Sequence, residues 1–221
     1  MASATLAIVI PVGTGDRAWE RLLPMLWDAS ARQIVLAATR EDKIERVPPG
    51  ITLIRSDAGR ATQQNAGAGA TRADWLWFLH ADSVVDPTSI ARLWRFIDAN
   101  ERAIGHFDLR FDDGPIAMRL NEWGARLRSR WLKQPFGDQG FVMPSGLFFD
   151  LGGFDASVHY GEDHALIWTA RRRGIRIVPV GAQLGTSSRK YIERGWWPTT
   201  RHHLVETALQ TLRFSQKRPR R

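Results

Sequence analysis

The segment 74–83 constrains the fold of this chain more than any other. It reads Asp-Trp-Leu-Trp-Phe-Leu-His-Ala-Asp-Ser, an apolar run that ends at His80 and Asp82. A run without polar alternation predicts a strand buried on both faces, as in a parallel sheet. Ligands of open α/β sheets bind beyond the carboxyl ends of such strands. We therefore expect Asp82 to hold a metal ion or a ribose, unless it only opens the turn before Asp86.

Strand-like and helix-like segments alternate through the first half of the chain, which predicts βαβ units and a mostly parallel sheet flanked by helices. The second half is expected to contain a strand with one wet face, an Arg-rich amphipathic helix and a Gly-rich segment. The predicted strands are 5–12, 33–38, 51–54, 74–80, 103–111 and 175–180. The predicted helices are 17–29, 61–72, 87–100, 115–133, 162–173 and 198–214, and the Gly-rich segment is 137–153.

Composition narrows the class of protein. Cysteine is absent, so disulfides and thiolate metal sites are excluded. The apolar runs are far shorter than the roughly 20 residues that a helix needs to cross a bilayer. Residues 4–12 predict a first strand rather than a signal peptide, and we expect a cytoplasmic protein. The net charge of +8 attracts anions of any kind.

A polar loop followed by a helix of small residues occupies positions 56–70. Arg60 stands near the predicted start of this helix, where backbone N–H groups already favour an anion, so a phosphate or nucleotide contact is predicted. Tight packing of the helix on the sheet, with a surface Arg, would explain the small residues equally well. It would not explain the polarity of the loop.

Two carboxylates, Glu162 and Asp163, open the predicted helix at 162–173 after a Gly-rich turn. Acidic residues in a first turn are stabilised by the helix dipole, which is a sufficient structural explanation. Beside a sugar acceptor, one of them would also suit a general base.

The remaining polar clusters each allow a functional and a structural interpretation. Asp138 and Gln139, between two glycines, predict either a substrate contact or a plain turn. The basic residues of 189–194, beside Trp196-Trp197, predict either a diphosphate clamp or a solvated face. Of the pair His202-His203, one at most could reach a metal, and a surface position is the alternative.

Four segments, in this order, resemble family 2 glycosyltransferases of the GT-A (nucleotide-diphospho-sugar transferase) fold, and among them the bacterial radical-SAM/selenodomain-associated transferase 2 group. The resemblance covers roughly residues 5–200, and Glu162-Asp163 falls where that family places its acidic pair. The segments are Ile8-Val9-Ile10-Pro11-Val12, Gly59-Arg60-Ala61 through Gln64-Asn65-Ala66-Gly67, Phe78-Leu79-His80-Ala81-Asp82-Ser83, and Gly137-Asp138-Gln139-Gly140 through Leu151-Gly152-Gly153-Phe154.

The resemblance implies a role for each matching residue. Asp82 resembles the metal-binding acid of the family, and His80 stands at the first acidic position of its Asp-x-Asp signature. A divalent ion, Mn²⁺ or Mg²⁺, would bridge the diphosphate of a nucleotide-sugar. Asp163 resembles the base that gives inversion, with Glu162 beside it. The implied nucleotide-binding residues are Pro11, Asp57, Arg60, Gln64, His80, Asp82, Arg189 and Arg194, and the implied acceptor-binding residues are Asp138 and Gln139.

The resemblance also implies one GT-A domain over residues 1–215. Its nucleotide-binding half would be 1–100 and its acceptor-side half 101–215, followed by a basic tail at 216–221. The expected partners are a nucleotide-diphospho-sugar and an unknown acceptor. The basic tail and Trp196-Trp197 are compatible with a lipid-linked acceptor and with peripheral contact with the anionic inner face of a membrane.

The chain departs from the family on the base-binding side. Gly13-Thr14-Gly15-Asp16 replaces an Asn-Glu pair, and the turn 37–42 lacks the usual run of Asp residues. A catalytically degenerate GT-A domain that only binds a ligand or partner is therefore the alternative hypothesis. Nucleic acid is not an expected partner, because only the net charge favours it and an acidic site opposes it.

Overall fold

The computed structural model describes residues 4–158, 160–201, 205, 207 and 211, with only the backbone of Lys190 and Arg194. Its seven strands form one sheet in the order β3-β2-β1-β4-β6-β5-β7. Neighbouring strands are parallel except where β6 pairs with β4 and β5. The predicted mostly parallel α/β architecture is thus confirmed. The strands are β1 (Leu6–Val12), β2 (Gln33–Thr39), β3 (Ile51–Ser56), β4 (Trp75–Phe78), β5 (Ala103–Phe111), β6 (Phe141–Pro144) and β7 (Arg176–Thr186).

Helices cover both faces of the sheet. On one face, α2, α5 and α6 pack over a cluster that includes Val9 and Phe78. On the other, α1, the 3-10 helix that follows it and α3 pack over Ile8 and Trp77. The helices are α1 (Trp19–Leu22), the 3-10 helix Leu23–Ala29, α2 (Arg60–Gly69), α3 (Pro87–Ala99), α4 (Met118–Trp131), α5 (Ser145–Asp150), α6 (Glu162–Arg172) and α7 (Arg189–Arg194).

The apolar run at 74–80 forms the central strand that its composition predicts. Trp75 and Trp77 point into one core cluster while Leu76 and Phe78 point into the other. Such alternation between two buried faces is what a strand covered by helices on both sides requires. The regular strand ends at Phe78, so residues 80–82 follow directly at its carboxyl end.

The prediction of a wet face on the strand 103–111 is wrong. Its polar residues His106 and Asp108 are buried, because α4 packs against β5. Burial lowers the pKa of His106 to about 4, so the ring is neutral near pH 7. Asp108 is balanced by Arg130, whose Nη2 lies 2.7 Å from the carboxylate, and by Arg126. The alternation of polar and apolar residues in this strand therefore reflects buried polar groups that are neutral or paired, and not exposure of one face to solvent.

Several boundaries differ from the sequence-based expectation. The segment 17–29 divides into a short α-helix and a 3-10 helix at Leu23, with Pro24 in the first turn of the latter. Strand β7 continues to Thr186 through two glycines, which disguise a strand in sequence. Helices α5 and α7 were not predicted, because each is only six residues long.

The C-terminal region is described only in part. Described positions from 196 to 211 are helical, so the predicted helix 198–214 is present and begins two residues earlier. His202-His203 and the tail 216–221 lie outside the described residues. Within the described part of the chain, no helix is long and apolar enough to span a membrane.

Helix α2 lies unusually close to the sheet at Gly67. A Cβ added at this position would lie 2.4 Å from Val9 Cγ1, well inside van der Waals contact. We expect Gly67→Ala to destabilise the fold by about 1–3 kcal/mol, as overpacking does. At Gly69, on the same helix, an added Cβ meets nothing within 4 Å. Gly69→Ala should therefore be neutral or stabilising by up to about 1 kcal/mol, and urea denaturation of both variants measures the contrast.

Equal effects of the two substitutions would contradict this packing. Such a result would mean that close packing on the sheet does not explain the small residues of α2. The observed contact instead supports the packing explanation for Gly67, while Arg60 at the start of the same helix serves the site described next.

Candidate active site

Three segments that are distant in sequence meet at Arg60, at the carboxyl edge of the sheet. The guanidinium Nε donates to Glu162 Oε1 at the start of α6. Nη2 lies 3.9 Å from Asp163 Oδ2, and Nη1 lies 3.3 Å from His80 Nε2 in the turn after β4. The structure thus brings together Arg60, His80, Glu162 and Asp163, four of the residues singled out in the sequence.

Charge balance holds this cluster together. Burial disfavours the charge of Arg60, but the carboxylates of Asp163 and Glu162 outweigh it and hold the pKa of Arg60 above its ordinary value. Both carboxylates lie in the first turn of α6, where the helix dipole also stabilises them. The guanidinium is therefore engaged with the acidic pair, while 37% of the Arg60 side chain stays exposed.

Asp163 is fixed by two backbone donors. Gly137 N donates to its Oδ2 at 2.6 Å, and His164 N donates to its Oδ1 at 2.8 Å. A Cβ at Gly137 would lie 3.0 Å from Asp163 Oδ2 and 3.3 Å from His80 Nε2. Glycine at 137 thus lets the loop before β6 pass between the turn after β4 and the start of α6. Each carboxylate oxygen keeps capacity for a further hydrogen bond, which a reacting hydroxyl could use.

Asp138 lies in the same loop with an unusual environment. Its Oδ1 is buried and has no hydrogen-bond partner among the described residues. Burial raises the pKa of Asp138, and Asp163 adds to the rise, whereas Arg128 opposes it. A half-buried carboxyl with an unpaired oxygen is suited to a ligand that supplies a donor or a cation.

Gln139 does not face the site, although it is adjacent to Asp138. Its side chain is fully buried, and its Oε1 accepts hydrogen bonds from Ser129 Oγ at 2.7 Å and from Phe136 N at 3.1 Å. Its Nε2 donates to Phe107 O at 2.9 Å. Both ends of the amide are thus engaged inside the protein, where they anchor the loop, and the acceptor contact of Gln139 stays a prediction.

The predicted nucleotide-binding residues are scattered along the edge. Gln64 is buried with Oε1 unpartnered among the described residues, while Asp57 is exposed and lies 2.8 Å from Arg40 Nε. Pro11 is buried inside β1, opposite Ala37 of β2, so its ring is part of the sheet. Of these, Gln64 is placed best to meet a ligand.

Arg189 is not brought into the cluster. Its side chain is exposed and lies 3.9 Å from Glu193 on the same helix. The Arg194 side chain lies outside the described residues. Helix α7 instead turns Tyr191 inward, where burial and the charge of Asp138 raise the tyrosine pKa to about 12. The described contacts therefore connect α7 to the site through Tyr191 and not through a basic clamp.

Two residues that lie around the site, Tyr191 and Arg128, were not predicted from the sequence. The Arg128 guanidinium stacks over Phe136 with Cζ 3.7 Å from the ring centroid, and its charge acts on Asp138 and Asp163. In sequence it was one of several Arg residues on a predicted amphipathic helix. No signal in the sequence distinguished it from the other Arg residues of this helix. Tyr191, one of only two tyrosines, carried a weak one.

The turns after β1 and β2, where the sequence departs from the resembled family, are joined to each other. Gly15 N donates to Asp42 Oδ2 at 2.8 Å, and the Thr14 and Thr39 hydroxyls lie 2.8 Å apart. Asp42 is buried in this junction. Its carboxylate is thereby a structural link between the two turns.

Asp82 is the candidate metal ligand. It lies half-buried in the turn after β4, close enough for its charge to act on Asp138. Among the described residues, no group of three or more His, Asp or Glu side chains could hold a metal ion. The donor set therefore fits an ion held by one carboxylate together with substrate phosphates, the mode in which Mg²⁺ is usually bound, and not a resident ion in a protein cage.

Comparison with known proteins agrees with this arrangement. The sequence profile of glycosyl transferase family 2 matches residues 32–156, more than half of the chain. The fold resembles TarS 1–349 of S. aureus, solved with UDP-GlcNAc, with a TM-score of 0.64 and 14% identity over 83% of this chain and 58% of that one. It also resembles GalNAc-T7, solved with UDP, GalNAc and Mn²⁺, with a TM-score of 0.62 and 15% identity over 83% of this chain and 44% of that one.

The chain thus spans about half the length of these two proteins, and at such low identity the likeness concerns the fold alone. No curated protein sequence matches this chain. The family profile and the sheet with its edge cluster carry the assignment. The protein belongs to glycosyl transferase family 2 and has the GT-A fold.

Proposed function

We propose that the enzyme transfers a sugar, with inversion, from a nucleotide-diphospho-sugar to an acceptor hydroxyl in a reaction that requires Mn²⁺ or Mg²⁺. The observation that carries the proposal is the meeting of Asp163 with the His80–Asp82 turn around Gly137 and Arg60. That UDP-GlcNAc was bound to TarS, and UDP and Mn²⁺ to GalNAc-T7, supports a donor of this class. We also propose membership of the radical-SAM/selenodomain-associated transferase 2 group.

Asp82 would hold the metal together with the diphosphate of the donor. When bound, the ion supplies positive charge that stabilises the departing nucleoside diphosphate. Asp82 orients the diphosphate at the carboxyl end of β4, where α/β sheets bind such groups. Gln64 offers its buried amide to the donor from α2, and His80 and Asp57 line the same edge.

Asp163 would act as the general base. It takes the proton of the acceptor hydroxyl while that oxygen attacks the anomeric carbon, and the bond to the diphosphate oxygen breaks on the opposite side. One displacement of this kind inverts the anomeric centre. The two backbone donors fix the carboxylate, and the Arg60 guanidinium, paired with Glu162, also lies close to it. Asp138, from the loop that also carries Gly137, would meet the acceptor.

A thermal-shift panel of UDP, GDP, CDP and dTDP, each with and without Mn²⁺, tests the donor class. A nucleotide at about 100 times its dissociation constant should stabilise the protein by roughly 2.7 kcal/mol. Because Asp82 alone cannot hold an ion firmly, we expect Mn²⁺ by itself to give no shift and one nucleotide to give a shift only with Mn²⁺.

The same panel separates a transferase from a degenerate binding domain. A metal-dependent shift accompanied by slow hydrolysis of the matching nucleotide-sugar supports the proposal. A shift without hydrolysis or transfer would instead favour the degenerate domain. Absence of any metal-dependent shift would refute the donor and metal assignments together.

A further inference from the structure

Helix α4 and the turn that precedes it expose a continuous apolar stripe. Its members follow one another at intervals of four, three, four and four residues, which places them on one face of a helix. They are Ile116, Leu120, Trp123, Leu127 and Trp131, with 81%, 62%, 63%, 42% and 80% of each residue exposed. Large exposed apolar patches of this kind mark interaction surfaces.

The stripe is not the face that packs on the protein. The buried residues of α4 are Met118, Ala125 and Ser129, on the opposite side of the helix. The helix therefore has one face that stabilises the fold and a second apolar face that contributes nothing to the described core. Single exposed apolar residues need no explanation, but five in register do.

Basic side chains flank the stripe on one side. Arg126 and Arg130 are partly neutralised by Asp108, whereas Arg119 and Lys133 are exposed. The whole chain carries a net charge of +8. An exposed Trp- and Leu-rich face with Arg and Lys beside it is typical of helices that lie in the interface of an anionic membrane.

Two contacts join the C-terminal segment to α4 and to the residues just after it. Trp196 Nε1 donates to Asn121 Oδ1 on α4 at 2.7 Å, and its ring lies 5.8 Å from Trp197, which is 66% exposed. Thr211 Oγ1 lies 3.5 Å from Gln134 Oε1, just beyond the end of α4. The sequence from 212 to 221 contains the five basic residues Arg213, Lys217, Arg218, Arg220 and Arg221.

We propose that the α4 stripe docks on the surface of a lipid bilayer that contains anionic lipid. Charge complementarity distinguishes this occupant from a second copy of the chain, because pairing two stripes would bring the basic flanks of two cationic molecules together. Arg128 and Ser129 of the same helix contact the loop that carries Asp138. A docked α4 would therefore hold the acceptor side of the site near the bilayer, a consequence that favours a lipid-linked acceptor and rests on the proposed function.

Co-sedimentation with vesicles tests the docking without reference to catalysis. The full chain is mixed at low salt with vesicles of phosphatidylcholine alone or with phosphatidylglycerol added. We expect binding to the anionic vesicles that weakens as salt rises. Trp123→Gln combined with Leu127→Gln should lower the partition coefficient by about tenfold or more, because both side chains lose apolar contact with the lipid.

Matched variants separate the apolar and the charged contributions. Trp27→Gln removes a comparably exposed Trp that lies outside the stripe, with 54% of the residue exposed against 63% for Trp123, and the variant should bind as the wild type does. Arg119→Gln combined with deletion of residues 216–221 should weaken binding to anionic vesicles by about fivefold or more, with little change on neutral ones.

Three results would overturn the proposal. They are failure of the wild type to bind phosphatidylglycerol vesicles, undiminished binding by the Trp123/Leu127 variant, and self-association in sedimentation velocity that this variant abolishes. The last would assign the stripe to a second copy. Since the variant should keep the nucleotide-induced thermal shift of the wild type, failure of docking and failure of the proposed function are distinguishable.

Discussion

Asp163→Asn is expected to lower kcat by about 10²–10⁴-fold, the usual contribution of a general base, while the dissociation constant of the donor nucleotide stays near that of the wild type. The amide keeps the size of the carboxylate but cannot take a proton from the acceptor. The measurement is a set of steady-state kinetics for transfer, or for hydrolysis of the donor where water serves as acceptor, together with nucleotide titration by calorimetry.

The substitution also has a structural cost that must be separated from the catalytic one. Gly137 N and His164 N each donate to one oxygen of Asp163, and asparagine retains a single acceptor oxygen. One buried N–H would lose its partner, at a cost of about 1–3 kcal/mol in stability. The loss of kcat therefore counts only under conditions where denaturation shows the variant to be folded.

Asp150→Asn is the matched control for loss of a carboxylate. Asp150 is exposed on α5 and pairs with Arg102 at 3.2 Å, away from the Arg60 cluster. We expect its kcat and its stability to be unchanged, since exposed ion pairs contribute little. An unchanged kcat in folded Asp163→Asn would reduce Asp163 to a residue that starts a helix and anchors Gly137.

Asp82→Ala is expected to weaken binding of the nucleoside diphosphate in the presence of Mn²⁺ by on the order of 100-fold or more. Loss of the only protein carboxylate assigned to the ion removes several kcal/mol of charge stabilisation, and each 1.4 kcal/mol is a tenfold change in affinity. Binding in the absence of metal should change far less. Calorimetric titration with and without Mn²⁺ measures both quantities.

The companion variant Asp82→Asn separates charge from shape. It keeps an oxygen and the side-chain volume, and we expect it to behave like Asp82→Ala because a neutral amide is a poor ligand for a hard cation. Mn²⁺-dependent binding that survives in both variants would contradict the assignment of Asp82. The residue would then be the turn-opening Asp that its position before Asp86 also allows.

The fold was largely predictable from the sequence because its core strands consist almost entirely of apolar residues. The segment 74–80 showed a strand buried on both faces, and the structure places it between β1 and β6. Segments in which glycine or polar residues interrupt the pattern were harder. Strand β7 is about twice as long as its apolar part. His106 and Asp108 gave strand β5 the pattern of an exposed face although both are buried, because His106 is neutral and Asp108 is paired with Arg residues.

The candidate site was predictable for a different reason. Asp82, Arg60 and Asp163 were singled out because each follows or starts an element, and the carboxyl ends of parallel strands meet at one edge. The sequence could not show that Arg60 would be directed to Glu162, or that Gln139 would be buried among Ser129, Phe136 and Phe107. Such side-chain partners depend on segments that are far apart in the chain.

The α/β class, the central strand and the residues that lie at its carboxyl edge were therefore predictable, because hydrophobic period and local turn chemistry act over a few residues. Which of these residues meet, and which face of α4 remains uncovered, depends on contacts between segments that are far apart in the chain. Helix 118–131 reads as amphipathic in sequence, but its Trp123 and Leu127 point away from the core. Period alone cannot distinguish an apolar face that packs on the sheet from one that is left to solvent, since that choice is made by the elements that surround the helix.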